Sequence, residues 1–388
     1  MTIFKKLAQG ISRAGAEIIT HVPGYGAGEV FRKLNQIRNE HLKISFHEET
    51  AYTIAHGAAL AGKRSACLIK AHGLAKAANS VVDSLFTGVN AGFVTCVFHD
   101  REGRHSDSII DSRKLIKGLD MPSLEVVENA PEKTVKQAYE LSQDLRLPVA
   151  LLVGEEPTVC TSLPSPPPPS PVVPFQRDIA QCVLCPPFAR YQRDVFEAKR
   201  SGGNWQAIQR PAIPRCPDEI PSPWREICEQ YVPLFQAFQL FRGELVSGET
   251  GLSCLFALPP FNAIDVVTYM GGSIPLGLGF LLAGHQDVWA VSGDFSFLAA
   301  GHLGLAEALN RELPLKILIL QNGRSATTGG ERIPEGLLER TLRGYEEFVL
   351  PLSSPESYER SREVLEKAHT SHRLTIVLAD YRHTWKDQ

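Results

Sequence analysis

Short apolar runs rich in branched side chains recur along this chain, separated by longer stretches with helical spacing, and this alternation limits the fold more than any other feature. "AEIITHVP", "SACLIKA", "AGFVTCVF" and "LPVALLVG" fall in the first half, with "EETAYTIAHGAALAG" as a helical stretch between them; "VWAVSG", "LKILILQN" and "LTIVLADY" follow in the second half. Runs of strand length with little in-out alternation are buried on both faces, as happens when helices cover a parallel sheet on each side. The expected fold class is therefore α/β, with two domains that are each a mostly parallel sheet flanked by helices. A chain of 388 residues is long enough for two separate cores.

A proline-dense stretch divides the two halves. "TSLPSPPPPSPVVP", from Thr161 to Pro174, has too many fixed φ angles and missing amide donors for a helix or a central strand, which predicts a stiff extended connector. The expected organisation is a first domain over 1–158, a proline-rich linker and connecting region over 159–250, and a second domain over 251–388. Within the connecting region "WREICEQYVPLFQAFQLF" has helical spacing that Pro233 should interrupt. In both domains a ligand is expected at the C-terminal ends of the strands.

The formal net charge of -3 offers no field for gripping a nucleic acid backbone, so nucleic acid is not an expected partner. There is no run of about 20 apolar residues, and the N-terminal segment lacks a clean signal-peptide core; no membrane partner and a cytoplasmic setting are expected. Of the eight cysteines only Cys182 and Cys185 have C-x-x-C spacing. Such a pair can be half of a zinc or iron-sulfur site, but Cys216 and Cys228 are not paired in the same way, which favours inert buried thiols.

The chemistry concentrates in "SGDFSFLAAG" and "LILQN". Asp294 follows one apolar run and Asn322 follows the next, so both stand at the same edge of a parallel sheet. Two oxygen side chains placed there suit a hard divalent ion, magnesium or calcium, that bridges to a diphosphate. Backbone amides from Gly293 through Phe295 to Ser296, at a helix start, could take further phosphate oxygens. The alternative reading makes Asp294 an N-cap or turn residue and Asn322 a turn residue before Gly323.

These segments resemble the diphosphate and metal motif of thiamine diphosphate-dependent enzymes, Gly-Asp-Gly with a downstream Asn; here Phe295 replaces the second glycine, which changes the turn and leaves Asp294 in place. Within that superfamily "GLAKAANSVVDSLFTGVNAGFV", "GRHSDSIIDSR", "ALPPFNAIDVVTYMGGSIPLGLGF" and "QNGRSATTGG" resemble the 2-oxo acid oxidoreductases, among them the indolepyruvate:ferredoxin oxidoreductase large subunit. The resemblance implies a pyrimidine-binding first domain and a diphosphate-binding second domain, with thiamine diphosphate and Mg2+ or Ca2+ as cofactors. It implies metal ligation by the side chains of Asp294 and Asn322 and the backbone carbonyl of Arg324. It also implies that Glu48, with Glu49 as the lesser candidate, is the carboxyl that activates the aminopyrimidine, a role that burial favours by keeping its proton near neutrality.

His72 and His105, with Arg104 and with His47 beside Glu48, are candidates for recognising a 2-oxo acid carboxylate or moving protons. Met270, Gly271, Gly272 and Ser273 would line the cofactor, with glycines allowing close backbone approach. Ser325, Thr327 and Thr328 could contact phosphate. The resembling large subunit carries a cysteine-rich ferredoxin domain after the last segment matched here, whereas this sequence ends in "LTIVLADYRHTWKDQ". The expected reaction is accordingly non-oxidative decarboxylation or carboligation of a 2-oxo acid. An oxidoreductase subunit served by a separate iron-sulfur or acceptor partner is the first alternative. A cofactor-free homologue is the second, against which the joint presence of Glu48, Asp294 and Asn322 argues. Enzymes of this superfamily commonly share each site between subunits, which implies a homodimer.

Overall fold

The computed structural model describes residues 2–127, 129–154 and 171–384. They form two compact units: the first takes Met1–Gln176 with Asp194–Ala207, the second Arg177–Arg193 with Ile208–Gln388.

The first unit is built on five strands: β1 (Ile18–His21), β2 (Ser65–Lys70), β3 (Phe93–Phe98), β4 (Ser123–Glu125) and β5 (Val149–Val153). They lie in the order β1-β2-β3-β5-β4, and every pair is parallel. Successive strand residues point to opposite faces, and each face has its own core. Leu68, Val94, Cys96, Val149 and Leu151 belong to one, with Leu7, Val30 and Phe31 from two helices, Ile3–Arg13 and Ala27–Arg38. Ile69, Phe93, Val97, Ala150 and Leu152 belong to the other, beneath the helices Glu48–Leu60 and Ala78–Thr87. Continuous apolar runs therefore serve both layers, each fully buried Leu or Phe contributing roughly 1.5–3 kcal/mol.

The second unit has six parallel strands: β6 (Leu245–Glu249), β7 (Val266–Thr268), β8 (Val288–Gly293), β9 (Lys316–Gln321), β10 (Val349–Leu352) and β11 (Thr375–Asp380). Their order is β10-β11-β9-β8-β6-β7. After β6 the chain steps to β7 on one side, then returns past β6 to β8. The strand order thus reverses between β6 and β8, and a ligand crevice is expected outside the C-terminal ends of strands at such a point.

The boundaries differ from those the sequence suggests. Residues 155–170, with most of the proline run, lie outside the described residues. The rest of 159–250 is divided between the units, and β6, the strand beside the reversal, lies before residue 251. Its sequence "LVSGE" is short and contains a glycine and an acid, so it does not stand out as a strand. Trp224–Phe238 is one helix with Pro233 inside it. Tertiary packing outweighs the lost hydrogen bond there: Tyr231, Leu234, Phe235 and Phe238 are buried, and the rings of Phe235 and Phe256 stack 3.7 Å apart. Among the described residues no helix is long and apolar enough to cross a membrane.

Candidate functional site

In the second unit the last residue of β8 is Gly293, and Asp294 opens a helical turn directly after it. Asp294 is 2% exposed. Its Oδ1 accepts the amide of Phe295 at 2.8 Å and its Oδ2 that of Gly323 at 2.6 Å. Burial pushes this carboxyl up to about 6, against the pull of the backbone amides of Gly323, Phe295 and Asn322. One strand over, Asn322 Oδ1 accepts the amide of Arg324 at 3.0 Å, while Nδ2 reaches Tyr231 Oη at 3.4 Å. Between them Gly323 has φ +75°, a turn that side chains other than glycine disfavour. The Arg324 carbonyl accepts from Ala326 N at 3.0 Å.

Asp294, Asn322, Gly323 and Arg324 line one cleft of about 520 Å³, walled further out by Arg332 and Glu339. The three residues the sequence suggests as ligands thus line one cleft, and the Asp294 carboxylate, the Asn322 amide oxygen and the Arg324 carbonyl each keep lone pairs beyond the N–H groups they already accept. Hard oxygen donors beside a buried carboxylate fit Mg2+ or Ca2+. Among the described residues no group of three or more His, Cys, Asp or Glu side chains could hold a metal, so softer ions have no comparable site.

The amides expected to hold phosphate are arranged differently. Gly293 N donates to Glu249 Oε1 at 3.0 Å, and Phe295 N is taken by its neighbour's carboxylate. Gly271 N donates to Glu249 Oε2 at 2.8 Å and Gly272 N to Tyr269 O at 2.9 Å. Gly293 N and Gly271 N turn inward because a buried acid at the end of β6 accepts from both. Ser273 is fully buried and Ser296 nearly so, while Met270 and Phe295 are 39% and 38% exposed. Sequence reading missed Glu249 altogether; a strand at 245–249 was the signal that would have revealed it.

In the first unit Glu48 begins the helix Glu48–Leu60, and its Oε2 pairs with Lys76 Nζ at 2.6 Å. Gly73 permits this packing, since a Cβ there would stand 2.6 Å from Glu48 Cγ. His72, next in the chain, shares a hydrogen bond between Nε2 and Ser108 Oγ at 2.8 Å. His105 stacks on Tyr25 with ring centres 4.1 Å apart, and its carbonyl accepts from Lys70 Nζ at 3.1 Å. Asp100 ties the loop by accepting the amides of Arg104 at 3.0 Å and His105 at 2.6 Å. Glu48, His72 and the His105 loop therefore gather around the C-terminal end of β2. Arg104 pairs with Glu102. Glu49 faces Asp83 instead, and burial raises both carboxyls, Asp83 to about 7.

Residues 251–373 match the family model described as thiamine pyrophosphate enzyme, C-terminal TPP binding domain. This segment is therefore similar to the cofactor-binding domain of thiamine pyrophosphate enzymes. The indolepyruvate oxidoreductase subunit IorA of Methanothermobacter thermautotrophicus is 30% identical over 216 residues, 50% of this chain and 35% of the relative. That of Archaeoglobus fulgidus is 28% identical over 154 residues, 37% of this chain and 25% of the relative. The chain thus spans about a third or less of these curated relatives. Solved structures with the same fold include benzoylformate decarboxylase from Polynucleobacter necessarius (TM-score 0.63, 10% identity, 97% of this chain and 98% of that one). Another is the thiamine diphosphate-dependent 4-hydroxybenzoylformate decarboxylase of Rhodococcus jostii RHA1 (TM-score 0.64, 14% identity, 98% and 99%).

The matched segment includes Asp294, Asn322, Arg324 and the Met270–Ser273 turn. Ser325 is buried there, its Oγ accepting the amide of Glu331 at 3.0 Å, so it braces the loop; Thr327 and Thr328 lie closer to the surface. Among the described residues Cys182 and Cys185 belong to no group of three or more His, Cys, Asp or Glu side chains that could hold a metal. Cys185 meets Cys254, from the domain's first turn, with the two sulfurs 3.5 Å apart, a pairing that C-x-x-C spacing does not suggest.

Proposed function

We propose that this chain is a thiamine diphosphate-dependent enzyme that acts on a 2-oxo acid by non-oxidative decarboxylation or carboligation. The observation that carries the reading is the joint placement of Asp294, Asn322 and Arg324 along one cleft within the segment that matches the thiamine pyrophosphate family model. The choice of reaction draws support from the decarboxylases that share the fold over nearly the whole chain.

In this reading Asp294, Asn322 and the Arg324 carbonyl would hold the divalent ion that accompanies the diphosphate. When bound, the thiazolium ring supplies an electron sink for the bond lost with carbon dioxide. Glu48 holds a proton toward the aminopyrimidine and must release Lys76 to do so. His72, oriented by Ser108, moves a proton at Nε2, and the His105 loop with Arg104 binds the substrate carboxylate. Met270, exposed at the turn after β7, supports the ring system from its apolar side. A homodimer in which the two ends of the cofactor contact different subunits completes the arrangement.

The test is an anaerobic assay of the purified chain with Mg2+, thiamine diphosphate and a panel of aliphatic and aromatic 2-oxo acids, benzoylformate included. Carbon dioxide release with an aldehyde or acyloin product, without an added electron acceptor, is expected. A second reading, a 2-oxo acid:ferredoxin oxidoreductase subunit, is favoured by the identity to the IorA subunits. It is the better account if turnover requires coenzyme A and an electron acceptor or a further subunit.

A further inference from the structure

Three neighbouring strands of the second unit, β7, β6 and β8, end around one acid. Glu249, the last residue of β6, is 1% exposed. Its Oε2 accepts from Gly271 N at 2.8 Å and Ser273 Oγ at 3.2 Å. Its Oε1 accepts from Ser292 Oγ at 2.7 Å and Gly293 N at 3.0 Å, and Ser296 adds a hydroxyl. The Glu249 carbonyl in turn accepts from Ser253 Oγ at 2.9 Å.

Every one of these donors is neutral. A carboxylate held in a core without a cationic partner is costly to bury, and an apolar side chain of similar size is often the more stable choice. What a carboxylate can do, and an amide or apolar group cannot, is accept on both oxygens at once from donors on two different strand ends. One oxygen of Glu249 fixes the turn after β7, the other the end of β8.

We propose that Glu249 is a positioning residue for the diphosphate end of the cofactor, holding Gly293, and so Asp294, in register with the Met270–Ser273 turn. The inference rests on the thiamine diphosphate reading above and adds a residue outside the matched segment, two positions before it begins. Both ends of the clamp are constrained. Gly293 N points inward to Glu249, which sets the direction in which the chain enters Asp294 and leaves the Asp294 carboxylate against Gly323 N. Gly271, at φ +89°, is seated so closely that a Cβ would stand 2.7 Å from Ala300 Cβ and 2.8 Å from Gly301 N, so the turn has little room to re-form elsewhere.

The decisive experiment uses the full chain and Glu249→Gln. The amide keeps the size but presents an NH2 to a pair of donors whichever way it is placed. The Kd for thiamine diphosphate is measured by calorimetry at saturating Mg2+, per folded protein, beside the thermal midpoint. A Kd about tenfold weaker or more, the scale set by residues that orient metal ligands, is expected in folded E249Q. Ser292→Ala, which removes one donor, should shift it in the same direction by less. A folded E249Q with the parental Kd overturns the proposal, even if its midpoint falls, because that is what a merely structural role predicts. If E249Q does not fold, S292A decides: a weaker Kd supports the proposal and an unchanged one overturns it. Absence of binding by the unaltered chain would instead overturn the thiamine diphosphate reading, and this inference with it.

Discussion

Asp294 combines near-complete burial with two accepted amides and an acidity weakened by desolvation, the state of a carboxylate that a divalent cation would stabilise. Replacing it with Ala should weaken magnesium-dependent binding of thiamine diphosphate by at least about tenfold, readable by calorimetry with and without Mg2+. Glu48→Gln should leave most of that affinity and slow exchange of the cofactor's C2 proton, followed by quenched deuterium exchange; unchanged exchange would remove Glu48 from its role. Asp83 gives a pH prediction. Burial, with the Glu49 charge added, raises it from 3.8 to about 7, so the folded chain keeps a proton that the unfolded chain has released. Its stabilisation is complete below about pH 4 and lost as pH rises through about 7, so Asp83→Asn should flatten the fall in thermal midpoint over that window. Asp294 and Asn322 were legible because each is a short polar residue directly after a strand-like run. Lys76 was not, since its pairing with Glu48 depends on how a helix start meets the segment after β2.

At the scale of elements, legibility followed continuity. β1, β2, β3, β5, β8, β9 and β11 hold the mainly apolar runs that stand out in the sequence. β4 has three residues, β6 carries Gly248 and Glu249, and β10 contains Pro351; none has enough apolar length to stand out before its neighbours pair with it. The acid was missed because the strand was. The turn between β7 and the helix Ser273–Leu282 is equally context-bound, its geometry demanded by the Ala300–Gly301 backbone it packs against. Gly271→Ala should destabilise the chain by about 1–3 kcal/mol through positive φ and overpacking together, visible as a lower denaturant midpoint with an unchanged slope.

For the whole chain, the two-sheet α/β plan follows from the alternation of runs and helical spacings, whereas the division into units does not. Residues 194–207 join the first unit although they come after the start of the second. No local pattern announces that, because the preference lies in tertiary packing: Phe196 is buried in the core beneath Glu48–Leu60. The proposed sharing of cofactor ends between subunits makes activity depend on association. Specific activity should fall when the enzyme is diluted below its dimer dissociation constant, and sedimentation velocity should show the dimer at higher concentration. A monomer that keeps full activity would contradict it.

The strand order of the second unit also bears on where the chain can be cut. β6 is the neighbour through which β7 joins the rest of the sheet, and it precedes residue 251. A recombinant fragment trimmed to 251–373 would lose that bridging strand, strand β11 and the clamp carboxylate together, and should yield an aggregating polypeptide in place of an autonomous cofactor-binding module.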